Sequence, residues 1–515
     1  MKKILWADDE IEYLKPHIIM LENKGYKVKT VTNGEDAVSL CKEEQFDAVF
    51  LDEMMPGKDG LQTLNEIKEF DPSIIVIMIT KSEEESIMEE AIGNQISDYL
   101  VKPVNPSQII LSLKKNLETK QISSKKITDN YLSEFNRINQ SLMTQSAEEI
   151  DWLNLYRQLC RFDIDLEKVD DKALKGTLAG VQREANQLFS KFIGSTYESW
   201  VHSNRSDRPL MSADIVKETV LPVLKSGKKS ILFVFDCLRY DQWIMMEEAL
   251  HEFFYIQTES YYSILPTATP YSRNAIFSGL FPDEFERIVP DIWKEENEHN
   301  LNNHEDLFLK QLLRKNGFTD QFKYLKCLNR ESISQLDTKF NELIQNQFTA
   351  VVINFIDLVT HTRTESRLIQ EMIPDEEAYR QLIKNWFVNS PLYSVFKKLA
   401  EQDISIFVTT DHGATRCQQD VKIVGDRETS SNPRYKFGKS LIIDKKYAVT
   451  VKDPKRFRLA KLNFNTEYVI AKSDYYMVYP NNYNKFVALY KDSFQHGGIS
   501  MDEMIVPVST LKGKS

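Results

Sequence analysis

Long hydrophobic runs and paired cysteines are both missing from this sequence of 515 residues. No uninterrupted apolar stretch approaches the roughly 18 residues that indicate a membrane-spanning helix, so we expect none. The short apolar start stops at once in the acidic residues 8–10, unlike a secretory signal peptide. The five cysteines are scattered and contain no Cys-x-x-Cys pair, which favours reduced thiols in a cytoplasmic protein.

Positive charge is scarce relative to negative charge, and the net charge is -11. This balance argues against nucleic-acid or membrane binding by the whole surface, although it leaves room for a local basic groove. No obvious helix-turn-helix is present, which argues against direct promoter binding. The composition, 42% hydrophobic and 27% charged, is ordinary for a globular protein, and the length predicts roughly three domains.

The N-terminal residues alternate between strand-like and helix-like segments. Apolar runs at 4–7, 28–31, 48–51, 74–79 and 99–101 have the length and burial pattern of strands, with helical patterns between them. Five such units predict an α/β domain with a flavodoxin-like, five-stranded parallel sheet and helices on both faces.

Polar residues at the carboxyl ends of these strands form a candidate phosphoryl-transfer site, because ligands of parallel sheets gather there. Three acids can hold Mg²⁺ through oxygen ligands, and a carboxylate such as Asp52 can attack a phosphoryl donor. A hydroxyl and an ammonium group can bind the phosphoryl oxygens. The residues are Asp8, Asp9, Asp52, Thr80 and Lys102.

This pattern resembles the receiver domain of two-component response regulators over residues 1–120. The resemblance implies that Asp52 is phosphorylated by a sensor histidine kinase and that Tyr99 and Thr80 respond to the phosphoryl group, with Lys102 beside it. It also implies Mg²⁺ binding by the side chains of Asp9 and Asp52, by the backbone carbonyl of Met54 and by Asp8 through water. The alternative is a flavodoxin-like domain with incidental surface acids. The segments that carry the resemblance are Asp8–Asp9, residues 52–57 with Gly60, Thr80 and Lys102–Pro103.

Residues 121–220 show helical periodicity and few strand signals. Apolar residues of 152–160 and 178–192 recur three to four positions apart, which predicts amphipathic helices in a small bundle. We interpret this segment as a spacer and dimerisation element without a catalytic constellation.

Three apolar runs in residues 221–515 end in an aspartate near a histidine or before a turn. They end at Asp236, at Asp357 with His361 four residues later, and at Asp411 followed by His412. Continuous apolar runs are typical of parallel strands covered on both faces, so these acids should converge at one edge of a sheet. With the late His496 and Thr269 they predict a site for two Zn²⁺ ions, since zinc accepts mixed His and Asp ligands and a metal pair can clamp a displacement at phosphorus.

This set resembles the alkaline phosphatase superfamily and, within it, the PglZ domain. The resemblance implies that Asp236, Asp411 and His412 hold one zinc ion and that Asp357, His361 and His496 hold the other. It further implies that Thr269 is the nucleophile and bridges the metals; we prefer it to Thr267 and Ser272. The segments that carry the resemblance are 235–241, 265–273, 278–282, 357–361, 410–413 and 496–500.

Some features separate this chain from other members of the superfamily. Ala268 excludes the Cys/Ser-x-Pro-x-Arg signature of sulfatases, and we identify no acid cluster for the additional magnesium of monoesterases. Arg239 and Arg273 are candidates for phosphate binding or, alternatively, for structural salt bridges. The basic segment 422–439 is interpreted as a mobile flap or a solvated loop.

The whole chain resembles PorX-type response regulators. That resemblance implies a partner sensor histidine kinase, a homodimer formed on phosphorylation, control of type IX secretion, and phosphodiesterase activity on oligonucleotide or cyclic-nucleotide signals. The alternative is an adaptor that acts through contacts with the kinase, the secretion machinery or a sigma factor, with a structural or vestigial zinc site.

Overall fold

The computed structural model describes residues 2–71, 74–81, 96–169, 171–290, 292–294, 302–318, 322–425 and 432–514. The chain divides into two compact units, residues 1–134 and 135–515.

A five-stranded sheet forms the centre of the first unit. Its strands are β1 (Lys3–Ala7), β2 (Lys27–Val31), β3 (Ala48–Asp52), β4 (Ile75–Thr80) and β5 (Asp98–Val101). They lie in the order β2-β1-β3-β4-β5, and every neighbouring pair is parallel. This is the strand order of flavodoxin-like sheets, so the predicted α/β fold of the N-terminal domain is confirmed.

Two apolar clusters cover the two faces of this sheet. Leu5 and Val49 belong to one cluster, whereas their neighbours Trp6 and Phe50 belong to the other, as the alternation of side chains along a strand requires. The helix expected between β4 and β5 lies outside the described residues. The described helices of this part are α1 (Lys15–Asn23), α2 (Gly34–Glu43), α3 (Gly60–Phe70) and α4 (Pro106–Leu113).

The middle of the chain is helical, as its periodicity predicts. Asp151 and Asp171 cap two of its helices by accepting hydrogen bonds from backbone N–H groups of the first turn. Trp152 packs edge-on against Phe189 with ring centroids 5.4 Å apart, which joins the two predicted apolar stripes. The helices are α5 (Thr119–Thr144), α6 (Trp152–Glu167) and α7 (Lys172–His202).

A six-stranded mixed sheet forms the core of the second unit. Its strands are β6 (Ser230–Phe235), β7 (Phe254–Tyr262), β8 (Phe322–Cys327), β9 (Phe348–Ile353), β10 (Ser405–Thr410) and β18 (Ile505–Gly513). In the order β7-β18-β10-β6-β9-β8, the last four strands are parallel to one another, and β18 and β7 pair antiparallel. The predicted C-terminal α/β fold is therefore confirmed.

Helices and short strands surround this sheet. The helices are α8 (Leu221–Lys225), α9 (Tyr240–Leu250), α10 (Thr269–Ser278), α11 (Glu305–Lys315), α12 (Arg330–Thr338), α13 (Phe340–Gln345), α14 (Phe355–Glu365), α15 (Arg367–Met372), α16 (Glu376–Val388), α17 (Pro391–Ala400), α18 (Tyr483–Tyr490) and α19 (Met501–Met504). The short strands are β11 (Thr415–Arg416), β12 (Gln419–Lys422), β13 (Tyr435–Gly438), β14 (Ala448–Val451), β15 (Glu467–Ala471), β16 (Tyr475–Val478) and β17 (Phe494–Gln495).

The register of the parallel strands brings three chain segments to one edge of the sheet. Thr410, Phe235 and Ile353 are the last residues of β10, β6 and β9, and they pair side by side. The residues that follow them, Asp411, Asp236 and Asn354, therefore begin three neighbouring loops. This alignment is what places the candidate site.

All five cysteines are free thiols, and four of them are buried. Burial raises the pKa of Cys41 and Cys417 to about 12 and that of Cys327 to about 11, so these thiols are protonated and unreactive at neutral pH. Among the helices of the described ranges, none combines the length and low charge that crossing a bilayer requires.

Candidate metal centres

The loop after β6 carries the first predicted ligand. Asp236 is 1% exposed, and its backbone N–H donates to the carbonyl of Ile353. Cys237 follows with φ of 66°, a left-handed conformation that is uncommon for a residue other than glycine. Its backbone N–H donates to Oδ1 of Asp411 at 3.2 Å. This sharp turn thus joins the loop after β6 to the loop after β10.

Asp411 and His412 are oriented by backbone groups. Oδ1 of Asp411 also accepts the N–H of His412 at 3.0 Å, whereas Oδ2 is buried without a hydrogen-bond partner. Nδ1 of His412 lies 3.0 Å from the carbonyl of Gly413, so it carries the proton and donates there. Nε2 is left with a free electron pair, the arrangement expected of a metal-binding histidine.

Gly413 is required by close packing behind this loop. A Cβ atom on Gly413 would lie 2.0 Å from the backbone carbonyl oxygen of Asp502. That distance is far inside van der Waals contact, so any larger residue would push the Asp411–His412 loop away from the sheet.

Thr269 brings a hydroxyl into the same cluster. It is the first residue of α10, and its Oγ1 lies 3.2 Å from Oδ1 of Asp236 and 3.1 Å from Nε2 of His412. The hydroxyl of Thr267 instead donates to the carbonyl of Gly498, and that of Ser272 interacts with Ser263. Of the three hydroxyl groups considered from the sequence, only that of Thr269 lies among the candidate ligands.

Asp357, His361 and His496 form a second cluster. Nε2 of His361 and Nε2 of His496 lie 3.3 and 3.5 Å from Oδ1 of Asp357, and 3.5 Å from each other. The expectation that Asp357 ends a strand is wrong: β9 ends at Ile353, and Asp357 lies in the first turn of α14. The spacing of four residues from Asp357 to His361 is one helical turn, which puts both side chains on the same face.

The two clusters adjoin each other. The imidazole rings of His412 and His496 are stacked with their centroids 4.3 Å apart. Each cluster contains three side chains whose ligand atoms all lie within 4.8 Å of one another. The residues in the two clusters are the same as those in the two ligand sets predicted from the sequence.

The spacing of the ligand atoms fits zinc in the second cluster and is slightly wider in the first. Ligands at zinc–nitrogen and zinc–oxygen distances of about 2.0–2.2 Å in a tetrahedron are separated by about 3.3–3.6 Å. The second cluster has separations of 3.3–3.5 Å. In the first, Nε2 of His412 lies 3.9 Å from Asp236 and 3.7 Å from Asp411. Oδ1 of Asp357 and Oδ2 of Asp411 are buried without hydrogen-bond partners, so each cluster holds an acceptor atom that a cation would satisfy.

The electrostatics of the first cluster also favour a cation. Burial raises the pKa of Asp236, with the charge of Arg273 acting against the rise. Burial together with the charge of Asp236 raises the pKa of Asp411 well above its ordinary value. Burial lowers the pKa of His412, which keeps the imidazole neutral and able to bind a metal. The carboxylates thus lie where positive charge would stabilise them.

Arg239 and Arg273 both form ion pairs with carboxylates. The guanidinium of Arg273 is 1% exposed and donates to Asp236 and Glu305. That of Arg239 forms two hydrogen bonds of 2.9 Å with Asp241. Both contacts correspond to the alternative given in the sequence analysis, that these arginines form structural salt bridges. Arg273 orients the candidate ligand Asp236 through its ion pair.

A buried ion pair between Arg434 and Glu503 supports the turn after His496. Nε of Arg434 donates to Glu503 at 3.0 Å, and the N–H of Gly498 donates to the same carboxylate at 2.8 Å. The interpretation of segment 422–439 as a flap or solvated loop is wrong at Arg434 and Lys436, which are buried. Arg427 of that segment lies outside the described residues. The sequence does contain one signal for Glu503, the spacing Ser500-x-x-Glu503 that is typical of a helix start. The hydroxyl of Ser500 accepts the backbone N–H of Glu503 and donates to its carboxylate.

The N-terminal unit contains a third cluster, formed by Asp8, Asp9 and Asp52. Lys102 bridges two of these acids, with Nζ 2.9 Å from Asp8 and 3.0 Å from Asp52. The pKa of Asp52 is raised to about 6, chiefly because the carboxyl group is buried. The hydrogen bond from Lys102 lowers this pKa, and the negative charge of Asp8 raises it. Carboxylates this close are expected where a hard cation is bound.

The other residues of the receiver pattern lie on β4, on β5 and in the segment that follows β3. Thr80 is buried at the end of β4, and its hydroxyl donates to Glu53. Tyr99 lies on β5 and is half-buried, whereas the side chain of Met54 is exposed. A Cβ atom on Gly60 would lie 2.4 Å from the carbonyl oxygen of Asp52, so glycine is needed for α3 to approach the end of β3.

Family models match three successive parts of the chain. Residues 4–114 match the response regulator receiver domain, residues 121–201 match the PorX response regulator linker domain, and residues 215–511 match the BREX system PglZ alkaline phosphatase-like domain. The PglZ match alone covers more than half of the chain.

Individual relatives match a smaller portion. Transcriptional regulatory protein ZraR of Klebsiella oxytoca is 33% identical over 138 residues, which are 27% of this chain and 31% of that protein. ResD of Bacillus subtilis is 33% identical over 112 residues, 22% of this chain and 46% of that protein. The chain thus spans less than half the length of these curated relatives.

A solved structure of a response regulator receiver domain from Clostridium thermocellum is 27% identical. It covers 24% of this chain and 98% of its own, with a TM-score of 0.23. A receiver domain, a PorX linker domain and a PglZ domain in this order place the chain in the PglZ family and make it a member of the PorX-type response regulators.

Proposed function

We propose that the PglZ domain is a two-zinc phosphodiesterase under the control of the receiver. The observation that supports this most is the position of the Thr269 hydroxyl, 3.2 Å from Asp236 and 3.1 Å from His412, beside a second Asp-His-His cluster. A nucleophile with two adjacent cation sites is the arrangement needed for displacement at phosphorus. Asp236, Asp411 and His412 would hold one zinc ion, and Asp357, His361 and His496 the other.

The protein side chains have distinct tasks in this reaction. Zinc, when bound, supplies positive charge that makes the hydroxyl of Thr269 easier to ionise and neutralises the phosphoryl oxygens. Thr269 Oγ1 forms a bond to phosphorus while the bond from phosphorus to the departing alkoxide breaks, and water then hydrolyses the phosphothreonine ester. Arg273 keeps the Asp236 carboxylate in place through its ion pair. The N-terminus of α10 adds a favourable dipole for an anionic substrate.

A diester is the favoured substrate class. Ala268 stands at the position where the Cys/Ser-x-Pro-x-Arg signature of sulfatases requires cysteine or serine. In the described part of the PglZ domain, two groups of three or more His, Cys, Asp or Glu side chains are close enough to share an ion, and these are the two clusters above. A further group that could hold the additional magnesium ion of monoesterases is not found among those described residues. Following the family resemblance, we propose oligonucleotides or cyclic nucleotides as substrates and type IX secretion as the regulated process.

The test of this function compares three chromogenic esters with zinc-loaded, full-length protein. We expect hydrolysis of bis(p-nitrophenyl) phosphate at a kcat/KM at least about tenfold above that for p-nitrophenyl phosphate, and no hydrolysis of the sulfate ester. Zinc is quantified by mass spectrometry in the same samples. Stoichiometric zinc without turnover of any phosphoester would instead support the adaptor role, through contacts with the kinase, the secretion machinery or a sigma factor.

We also propose that a sensor histidine kinase phosphorylates Asp52 and that the phosphorylated chain forms a homodimer. The Asp8, Asp9 and Asp52 cluster would hold Mg²⁺, and Lys102, which contacts Asp52, would bind the phosphoryl oxygens together with Thr80.

The Asp52→Ala variant tests the receiver proposal. With Mg²⁺ and acetyl phosphate, the wild-type chain should gain one phosphoryl group and shift towards a dimer in light scattering, whereas Asp52→Ala should do neither. A Glu12→Ala variant removes an exposed acid outside the cluster and should behave as wild type. Phosphodonor-dependent dimerisation of Asp52→Ala would place the switch elsewhere.

A further inference from the structure

Arg380 lies at the centre of a buried charge network outside the two metal clusters. This residue of α16 is 2% exposed. Its guanidinium donates to Glu167 at 2.7 Å, to Asp163 at 2.7 Å and to Asp241 at 2.9 Å. Asp163 and Glu167 belong to α6 of the linker, whereas Asp241 belongs to the first turn of α9. One cation therefore joins three helices that are far apart in sequence.

The network continues from Asp241 to the first metal cluster. Oδ1 and Oδ2 of Asp241 accept hydrogen bonds from Nε and Nη2 of Arg239, each at 2.9 Å. Arg239 in turn donates to the carbonyl of Ala414 at 3.2 Å. Ala414 lies two residues after His412, and Arg239 lies three residues after Asp236. The Asp241–Arg239 pair thus contacts the two loops that carry the three candidate zinc ligands of the first cluster, Asp236, Asp411 and His412.

A second contact from the linker reaches the same loop. The hydroxyl of Tyr156, also on α6, donates to Asp502 at 2.9 Å, and Asp502 accepts the hydroxyl of Thr415 at 3.2 Å. The carbonyl oxygen of Asp502 is the atom that leaves no space for a Cβ on Gly413. The Asp411–His412 loop is therefore held between Arg239 and Asp502. Asp502 is bound to α6 directly through Tyr156, whereas Arg239 is connected to α6 through Asp241 and Arg380.

We propose that Arg380 is a positioning residue that couples the linker helix α6 to the zinc-binding loops of the PglZ domain. This inference rests on the proposed function, and it specifies how the linker would influence that site. Arg239 and Arg380 together face four carboxylates, Asp163, Glu167, Asp241 and Asp502. Loss of Arg380 leaves three of them without their shared cation, and mutual repulsion then separates α6 from the loop after β6.

The same coupling gives the linker control of the metal site. A displacement of α6 changes the position of Arg380, and through Asp241 and Arg239 it changes the loop that orients Asp411 and His412. Groups that orient metal ligands from outside typically contribute about 10–100-fold to metal affinity or activity. Changes in the linker, which contains none of the candidate ligands, should therefore alter zinc binding.

The experiment measures zinc affinity and kinetics in full-length protein. Wild type, Arg380→Lys, Arg380→Met and the linker variant Asp163→Asn/Glu167→Gln are equilibrated against buffered free zinc, and kcat and KM are measured with bis(p-nitrophenyl) phosphate at saturating zinc. Arg456→Met is the control, because it removes a linker–PglZ ion pair with Glu198 that touches no loop of the site. Circular dichroism at the assay temperature restricts the comparison to folded variants.

We expect the free zinc concentration at half-loading to rise about 10–100-fold in Arg380→Met and about tenfold in the linker variant. Arg380→Lys should recover part of the loss, kcat should fall more than KM changes, and Arg456→Met should match wild type. If Arg380→Met does not fold, the zinc affinity and kcat of the linker variant Asp163→Asn/Glu167→Gln test the coupling. Wild-type zinc affinity and kcat in the linker variant overturn the coupling, whereas a wild-type chain that binds no zinc overturns the proposed function itself.

Discussion

Replacement of Thr269 by alanine is expected to reduce kcat for phosphodiester hydrolysis by at least about 1,000-fold. The hydroxyl of Thr269 lies 3.1–3.2 Å from two candidate zinc ligands and at the start of α10. Alanine keeps the helix start but removes the only atom of this side chain that can attack phosphorus. Zinc content should remain within about one half of an equivalent of wild type, because three side chains of the cluster persist. Steady-state hydrolysis of bis(p-nitrophenyl) phosphate measures the effect.

Two further variants show whether the loss concerns the nucleophile. Thr269→Ser keeps a hydroxyl and should retain at least about one tenth of the wild-type kcat. Thr177→Ala removes an exposed threonine hydroxyl that bonds only its own helix, and it should leave kcat unchanged. Undiminished diesterase turnover in Thr269→Ala would remove this residue from the chemistry and favour attack by water.

Replacement of His412 by alanine is expected to remove most of the activity together with bound zinc. Nδ1 of His412 is anchored on the carbonyl of Gly413, so Nε2 is pointed at Asp236, Asp411 and Thr269. Without this imidazole, one cluster keeps two carboxylates and a hydroxyl. We expect zinc affinity at that site to fall at least about 100-fold and kcat to fall at least about 1,000-fold.

The measurement pairs zinc quantification with kinetics at several zinc concentrations. His251→Ala is a suitable control, since this exposed histidine lies outside both clusters and carries only a weak contact with Glu247. It should retain two zinc equivalents and full activity. A His412→Ala variant with two tightly bound zinc ions would show that the first site is built from other side chains.

Much of the candidate metal site could be predicted, because neighbouring parallel strands end at the same edge of a sheet. Asp236 and Asp411 follow apolar runs, and the pairing of Phe235 with Thr410 puts them side by side. The same reasoning gave the wrong element for Asp357. The apolar run there includes Phe355 and Ile356, which continue from β9 into the buried side of a helix, so the strand end cannot be read from hydrophobicity alone.

The supporting residues could not be found from local sequence. Arg434 stands in a stretch rich in Lys and Arg, which ordinarily indicates solvent, yet it pairs with Glu503, 69 residues away, with both side chains fully buried. Arg380 likewise depends on Asp163 and Glu167, more than 200 residues earlier in the chain. Long-range ion pairs of this kind leave no periodicity in the sequence, because their partners are set by tertiary packing.

The receiver illustrates the opposite case. Asp52 and Thr80 are the last residues of β3 and β4, and Asp8, Asp9 and Lys102 follow the ends of β1 and β5 in a sheet of five parallel strands. The structure places Lys102 between Asp8 and Asp52, with Nζ 2.9 and 3.0 Å from their carboxylates. The contact between Thr80 and Glu53 could not be predicted, since no general rule assigns a partner to the residue after Asp52.

Anomalous scattering at the zinc absorption edge from crystals of zinc-loaded protein tests the central proposal most directly. We expect two strong peaks in each chain, one bounded by Asp236, Asp411 and His412 and the other by Asp357, His361 and His496, with Oγ1 of Thr269 next to the first. An absence of zinc from these six side chains at saturating metal, or zinc bound only elsewhere, would contradict it.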